Sequence, residues 1–308
     1  MVRLICKTWI SLWLIFGLSA VATAQDEYER IANVIRLDSF TVTATRSGFS
    51  VMDFIDLVRK DESFYQAFRN LRFLSYDADN DIQLFDKKAK CVAHYQAKTR
   101  QYAVHRCRTM DILSEKVEGN YFKQKRNLRY YTAQLYDRLF FTHGQECEEE
   151  TVEVPKGMNK HIEQLKRLMF EPGEKVEVPF IGGKTAIFDE QMMAYYDFAI
   201  ASKTYQRDTD CYVFIAKVKP EVKAGKTIIK YLETYFEKST FQVVARQYQL
   251  QYAGAAFDFD VSIEVKLGKI GHQYIPEQLY YDGYWHVATQ KPETAKFTAQ
   301  FYNFKSEQ

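Results

Sequence analysis

Strand-like alternation near the C-terminal end constrains the fold more than any other feature of the sequence. Apolar and polar residues alternate strictly from Phe257 to Val265, which predicts a half-buried strand with one apolar face. That face carries Phe257, Phe259, Val261 and Ile263. Further strands are expected at 227–236, 240–252, 284–288 and 295–304. Because no regular helices separate these strands, the pattern predicts antiparallel pairing and not parallel βαβ units.

The preceding part of the chain mixes helical and strand-like patterns. Apolar residues recur at near-helical spacing over 51–71, 127–141, 158–170 and 189–202. Between the first two of these segments, 73–110 alternates as strands do, with polar turns expected at 78–80 and around Thr99. Together with the C-terminal strands, these segments predict an α+β fold. The sequence contains no long linker-like tract, so we expect one domain.

The N-terminal residues have the parts of a secretory signal peptide. Arg3 and Lys7 supply a positive start, an apolar run follows from Trp9 to Val21, and residues 22–24 (Ala-Thr-Ala) give a small-x-small cleavage pattern. The apolar run is too short for a transmembrane anchor, which needs roughly 18 or more such residues. We therefore expect a signal peptide at 1–24 and a mature domain at 25–308. The mature protein is expected in the periplasm or secreted, and not integral to the membrane.

Charge argues against one class of partner. The chain has 42 basic and 40 acidic residues, and removal of Arg3 and Lys7 with the signal peptide leaves 40 of each. Proteins that bind nucleic acids neutralise phosphates with a basic excess. The balanced charge therefore disfavours nucleic acid as a partner.

Cysteine usage predicts disulfide bonds. Cys91, Cys107, Cys147 and Cys211 follow the signal peptide, and an even number in an exported protein suggests disulfides, with three possible pairings. If the chain turns at Thr99, Cys91 and Cys107 lie opposite each other with side chains on one face. We therefore predict a Cys91–Cys107 bond, which leaves Cys147 to pair with Cys211. Zinc ligands would need closer spacing, such as C-x-x-C, which is absent.

The sequence offers no recognisable catalytic, metal or cofactor site. Asp258 and Asp260 share one strand face about 7 Å apart, a separation that would suit glycoside hydrolysis, but the polar side of an alternating strand explains them. The Gly-Gly-Lys-Thr run at 182–185 lacks the first glycine of a phosphate-binding loop, since position 178 is valine. The six histidines are scattered without metalloprotease spacing. We expect a protein that is not an enzyme.

Two segments of the chain carry a family resemblance. Residues 229–243, with an acidic-Lys-Ser-Thr turn between two strands, resemble a hairpin of the periplasmic lipoprotein-carrier superfamily (LolA/LolB-like proteins), and 275–285 resemble its closing strands. The resemblance implies a strongly curved antiparallel β-sheet, an incomplete barrel, with helices packed on or plugging its concave face. A helical insertion at about 121–203 departs from that pattern. Residues 40–46 resemble the start of a TonB-dependent receptor plug, which indicates a Gram-negative envelope.

The aromatic content, 22 tyrosines and 23 phenylalanines, suggests what such a sheet would hold. One hypothesis is an apolar hollow that binds an acyl lipid or a lipoprotein. The residues expected to line it are Tyr248, Leu250, Tyr252, Phe257, Phe259, Val261 and Ile263. The alternative is a structural or interaction protein of the envelope with a filled core, whose exposed tyrosines bind a protein partner. A third hypothesis is a hydrolase that uses Asp258 or Asp260.

Overall fold

A computed structural model describes residues 50–147, 172–173, 175, 181–206, 208–254, 257–287 and 291–305. The expected signal peptide at 1–24, the plug-like segment at 40–46 and the helix expected at 158–170 lie outside the described residues.

Eleven strands are found within these ranges. In chain order they are β1 (Ser75–Phe85), β2 (Cys91–Val104), β3 (Cys107–Gly119), β4 (Glu146–Cys147), β5 (Tyr196–Tyr205), β6 (Thr209–Val218), β7 (Ile229–Glu237), β8 (Val243–Ala253), β9 (Phe257–Ile270), β10 (Gln273–Val287) and β11 (Glu293–Lys305).

The strands form one antiparallel sheet in the order β4-β3-β2-β1-β11-β10-β9-β8-β7-β6-β5. β11 lies between β10 and β1, so the last of the described strands pairs with the first of them. The order has two ends, β4 and β5, so the sheet is not closed into a barrel. Register shifts interrupt several of the ladders, and such bulges bend strands. An open antiparallel sheet with helices confirms the fold class that the sequence predicts.

The described ranges contain four α-helices: α1 (Val51–Lys60), α2 (Ser63–Asn70), α3 (Tyr131–Phe140) and the short α4 (Glu190–Met193). Ser50 begins α1 with a capping box, in which its hydroxyl accepts from the Asp53 amide and the Asp53 carboxylate accepts from the Ser50 amide. The helix buries Phe54, Ile55 and Val58. Among the described residues, no helix has the length and apolarity required to cross a membrane.

One face of the sheet is apolar, as period-2 alternation requires. Ile82 of β1, Phe297 of β11, Tyr281 of β10 and Ile263 of β9 lie in register across four strands, and all are at least 98% buried. These residues and the buried sides of α1, α2 and α3 belong to one hydrophobic core. Helices therefore cover the apolar face.

The 229–243 hairpin is confirmed, since β7 and β8 pair around a turn near Lys238.

Two other sequence interpretations are wrong. The helix expected over 189–202 is limited to α4, and the chain then enters β5. The turns expected at 78–80 and around Thr99 lie inside β1 and β2, where the Asn80 and Thr99 side chains are buried.

The disulfide pairing also differs from the prediction. Cys107 is bonded to Cys147, while Cys91 and Cys211 are free thiols. The hairpin turns at residues 105–106, both of which have positive φ, so β2 is one strand of 14 residues. Such a strand spans about 40 Å, which places Cys91 at the opposite end of β2 from Cys107. β4 instead pairs Cys147 directly with Cys107.

The remaining cysteine is remote from these residues. Cys211 lies in β6, near the opposite edge of the sheet. Its side chain is buried, and burial raises the pKa of the thiol to about 11. The predicted Cys147–Cys211 bond is therefore wrong because the two residues belong to opposite ends of the strand order.

Of the helical insertion expected at about 121–203, the described residues include α3, α4 and the strands β4 and most of β5. The Gly-Gly-Lys-Thr run begins a 3₁₀ turn at Gly182–Lys184. This turn contacts the end of β8, where the Lys184 ammonium lies 5.1 Å from the centre of the Tyr252 ring.

Candidate functional site

The structure brings the residues predicted for the apolar hollow together on β8 and β9. Tyr248 lies opposite Ile263, Leu250 opposite Val261, and Tyr252 opposite Phe259. Five of these six side chains are buried, and Tyr252 is half-buried. Phe257 begins β9.

Aromatic rings continue this surface onto β10 and β11. Phe259 stacks on Trp285 with 4.7 Å between ring centres, and Tyr281 stacks on Phe297 at 4.3 Å. Tyr252 extends the series at 6.0 Å from Phe259. We call Tyr252, Phe259, Trp285, Tyr281 and Phe297 the aromatic row. It lies on the apolar face and runs across β8 to β11.

Gly283 explains how Tyr281 fits into the aromatic row. It lies between Tyr281 and Trp285 on the same face of β10, and a Cβ atom at this position would come within 2.5 Å of the Tyr281 hydroxyl oxygen. The Tyr281 ring therefore lies along its own strand, over the glycine. This arrangement directs the hydroxyl toward Trp285.

Two polar atoms of the aromatic row have no hydrogen-bond partner among the described residues: the Tyr281 hydroxyl and the Trp285 Nε1. Both residues are buried, at 1% and 7% exposure. Burial raises the pKa of Tyr281 well above its ordinary value, and a hydrogen-bond contribution from the Trp285 indole opposes this rise. The two groups therefore lie close to each other, although their geometry does not meet that of a hydrogen bond. Ser63 and Arg108 are the other described residues with a buried, unpaired side-chain atom, and neither belongs to the row.

Helices α1 and α2 cover the adjoining part of the apolar face. Phe64 of α2 lies 6.3 Å from Tyr248 between ring centres. Arg246 of β8 donates to Asp61, between the two helices, at 3.0 Å and to the Thr234 hydroxyl at 3.1 Å. Burial lowers the pKa of Arg246, and the Asp61 carboxylate opposes this effect. A buried ion pair therefore joins the helices to the sheet.

The side of the apolar face formed by β1 and β2 has a different polar arrangement. Tyr136 of α3 donates to the Asn80 Oδ1 at 2.6 Å, and the Asn80 amide donates to the Ala97 carbonyl and the Thr99 hydroxyl. Nearby, Gln101 donates to two backbone carbonyls, those of Leu71 and Leu74. These bonds join α3 and the end of the α2 segment to the sheet.

The carboxylates considered for hydrolysis lie on the polar face of β9. Asp260 accepts from the side-chain amides of Gln249 and Gln251 at 2.9 and 3.1 Å. His286 is the cross-strand neighbour of Asp258 on β10. Contacts along the sheet account for the Asp260 carboxylate. Within the described ranges, no group of three or more His, Cys, Asp or Glu side chains could hold a metal ion.

Sequence reasoning missed Tyr281, Trp285 and Phe297 of the aromatic row, and it also missed Arg246. The signal for two of them was present, since Tyr281, Gly283 and Trp285 follow one another at period 2 in the segment assigned to the closing strands. Phe297 shows the same period with Phe301 in the last strand. The Arg246–Asp61 pair joins residues far apart in sequence, so local patterns carry no signal for it.

Comparisons with known proteins give similarities at low identity. No family model and no curated protein matches the chain. Among solved structures, it is similar to a DUF1329 family protein from Desulfovibrio piger, with 11% identity, 83% of this chain and 93% of that chain covered, and a TM-score of 0.28. It is also similar to a putative outer membrane lipoprotein-sorting protein domain from Vibrio parahaemolyticus. The identity is 4%, 83% of this chain and 91% of that chain are covered, and the TM-score is 0.29.

A LolA superfamily protein from Nitrosomonas europaea gives 8% identity, 80% and 93% coverage, and a TM-score of 0.25. The structural neighbours thus include the superfamily that the 229–243 hairpin resembles. At these TM-scores the similarities carry no argument about what the chain binds. The proposals below rest on contacts within the chain.

Proposed function

We propose that this chain is an exported, non-catalytic protein of the cell envelope that binds an acyl lipid, free or attached to a lipoprotein, against the apolar face of its sheet. The observation that carries this proposal is the aromatic row together with Tyr248, Leu250, Val261 and Ile263. Together they form one apolar surface across four strands. Apolar burial stabilises an acyl chain by about 25 cal/mol per Å². The Cys107–Cys147 disulfide supports export, because such bonds persist in oxidising compartments.

The cover of this surface is consistent with a site that opens. Near Tyr248 it consists of α2, which has 8 residues, while α1 packs on β6 and β7 through Phe54. The surface near Tyr248 therefore becomes accessible when this short helix moves, without separation of sheet strands. Isolated helices of this length are marginal in water, so their position depends on contacts such as the Arg246–Asp61 pair.

Native mass spectrometry with lipid extraction tests this function on protein purified from an envelope without denaturation. A discrete added mass identified as an acyl lipid supports it. A mass equal to that of the polypeptide with one disulfide, unchanged after incubation with envelope lipids, contradicts it.

A matched pair of variants tests the location. Val261→Thr places a hydroxyl on the apolar face with little change in volume, while Val244→Thr makes the same change in the small cluster on the opposite face. We expect lipid occupancy to fall several-fold for Val261→Thr, because a polar group must be desolvated beside the acyl chain. Equal occupancy in the two variants would place the lipid elsewhere.

The second candidate function is a protein-interaction role with a filled core, and one observation favours it. Five of the nine exposed large hydrophobic side chains of the described residues lie on the β2–β3 hairpin: Tyr102, Val104, Ile112, Leu113 and Val117. Exposed apolar clusters mark interaction surfaces. Crosslinking in intact envelopes through a photoreactive residue at position 112 tests this role. A specific crosslinked protein that disappears when Val117→Lys is added on the same strand supports it, and crosslinking that is unaffected by this change contradicts it.

A further inference from the structure

The Tyr281 hydroxyl and the Trp285 Nε1 are the polar features of the aromatic row that contacts within the described chain do not explain. Both atoms are buried and unpaired, and such groups in native proteins require an explanation. They come from one face of one strand, two positions either side of Gly283. Phe259 and Phe297 hold the two rings by stacking. The rings are therefore fixed, while their donors are unused.

The chemistry of the two groups limits what they can bind. An indole Nε1–H is only a donor, and a phenolic O–H is a donor or acceptor. One carbonyl oxygen has two lone pairs and can accept from both. Neither group is charged at neutral pH, and neither has a cationic partner among the described residues. Two neutral donors fit a neutral carbonyl oxygen better than an anionic group, whose charge would be buried without a counter-ion.

We propose that the Tyr281 hydroxyl and the Trp285 indole N–H together bind the carbonyl oxygen of an acyl ester, with the acyl chain along the aromatic row. This inference rests on the proposed function and specifies its ligand class. The surrounding rings supply apolar contact, and the two donors set the position of the ester along the chain. Unpaired buried donors cost free energy, and an ester carbonyl would satisfy both of them, which favours the acyl ester over a plain hydrocarbon.

Tryptophan fluorescence provides a direct readout. The sequence has three tryptophans, Trp9, Trp13 and Trp285, so Trp285 is the only one beyond residue 24. Protein purified from the envelope therefore reports ligand binding at this site through Trp285 alone if the signal peptide has been removed. A Trp285→Phe variant identifies any contribution of Trp9 and Trp13 in unprocessed chains.

Three ligands of equal chain length separate the possible outcomes: methyl decanoate, the ether that lacks only its carbonyl oxygen, and decanoate. For the wild-type protein we expect methyl decanoate to bind about 100-fold more tightly than the ether, the effect of roughly two net hydrogen bonds of about tenfold each. Decanoate has the same acyl chain but ends in a charged carboxylate with two equivalent oxygens in place of the neutral ester carbonyl. A preference for decanoate over its methyl ester would overturn the assignment to esters.

Tyr281→Phe is the principal variant, because it removes the hydroxyl and keeps the ring. We expect its affinity for methyl decanoate to fall about tenfold toward that of the ether, with ether binding unchanged. Tyr136→Phe is the matched control on the same apolar face, since its hydroxyl is bonded to Asn80. We expect it to retain the wild-type ratio of ester to ether affinity.

Each contrary result has a distinct meaning. If ester and ether bind equally well to the wild-type protein, or if Tyr281→Phe keeps their ratio, the proposed donor pair is wrong while an acyl site remains. If none of the three ligands binds, both the donor pair and the proposed function fail. Circular dichroism of Tyr281→Phe confirms that the fold is retained.

Discussion

The two parts of the apolar face differ in how their polar groups are used. Under α3, Asn80 is fully bonded, to Tyr136, to the Ala97 carbonyl and to Thr99. On β10, the hydroxyl of Tyr281 and the indole of Trp285 are equally buried but unpaired. A bonded buried network makes one packing arrangement unique, whereas unpaired buried donors cost stability. The contrast is what we expect if the first part maintains the fold and the second part has the ligand-binding role that we propose.

We call the part of the sheet formed by β1–β3 and covered by α3 the bonded part. The disulfide belongs to it and gives the largest expected effect. It joins positions 40 residues apart and holds the segment after α3 against β3. Closing a loop of this length stabilises a domain by about 4 kcal/mol in the chain-entropy model. We expect Cys107→Ser with Cys147→Ser to lower the free energy of unfolding by about 2–4 kcal/mol in urea titrations.

Cys91→Ser is the control for that measurement, because Cys91 is an exposed free thiol. It should unfold as the wild-type protein does. Hydrogen exchange sharpens the comparison: the double variant should exchange faster in α3 than in β10. Equal acceleration in both would show that the two parts are one cooperative unit.

The Arg246–Asp61 pair gives the next largest effect, on the cover beside the aromatic row. Asp61→Ala leaves the Arg246 guanidinium, which is 3% exposed as a residue, without its carboxylate partner. Breaking a buried pair by removal of one member costs about 3–5 kcal/mol, and we expect about 3 kcal/mol because Asp61 is not fully buried. Thermal and urea unfolding measure this loss.

Glu62→Ala is the neighbouring control, since Glu62 is exposed and its carboxylate accepts from Gln66 in the next helical turn. We expect its effect to stay within about 0.5 kcal/mol. If Asp61→Ala and Glu62→Ala destabilise the protein equally, the cover does not depend on the buried pair.

Two tyrosine variants test the contrast directly. Tyr136→Phe leaves Asn80 without its donor, and we expect a loss of about 1–2 kcal/mol in the free energy of unfolding. Tyr281→Phe removes a hydroxyl that has no partner, so we expect no loss and a gain of up to about 0.5 kcal/mol. Equal losses in urea unfolding would mean that both hydroxyls are bonded in solution and would remove the distinction between the two parts.

The sequence predicted much of the C-terminal half because its signals are local. Strict alternation placed Phe259, Val261 and Ile263 on one face, and the turn near Lys238 defined the β7–β8 hairpin. These features depend on residues close in sequence, for which period and turn chemistry are informative. The antiparallel α+β class followed from them.

The prediction failed in the β1–β3 part for an identifiable reason. A two-residue turn with positive φ at both positions normally carries Asn or Gly, but here it is formed by His105 and Arg106. The polar residues of 78–80 and Thr99 were interpreted as turns because exposed loops are the usual place for them. Asn80 is instead buried and bonded across strands. The incorrect turn at Thr99 then led to the incorrect disulfide.

The smallest expected effect is a loss of unfolding free energy at low pH. It comes from an ion pair on the polar side of the bonded part. Asp77 accepts from Arg100 on β2 at 2.6 and 2.9 Å and from Asn303 on β11 at 2.9 Å. The Arg100 hydrogen bond lowers the pKa of Asp77 from 3.8 to about 2. The contribution of ionised Asp77 to the free energy of unfolding is therefore complete above about pH 4, and it is lost as the pH falls through about 2. Since Arg100 is half-exposed, we expect about 1 kcal/mol.

Asp77→Asn should remove the loss of stability that protonation of Asp77 causes. The variant should be less stable than the wild type at pH 4, and this difference in unfolding free energy should become smaller at pH 2. Asp197→Asn, an exposed change on the opposite edge strand β5, should leave the wild-type profile unchanged. The two parts of the sheet should also respond differently, because Asp77 joins β1 to both of its neighbours and makes no contact with β10. If hydrogen exchange rises at a higher pH in β1 and β2 than in β10, the two parts of the sheet unfold independently. If it rises at the same pH in all three strands, the position of the unpaired donors of β10 depends on the bonded network.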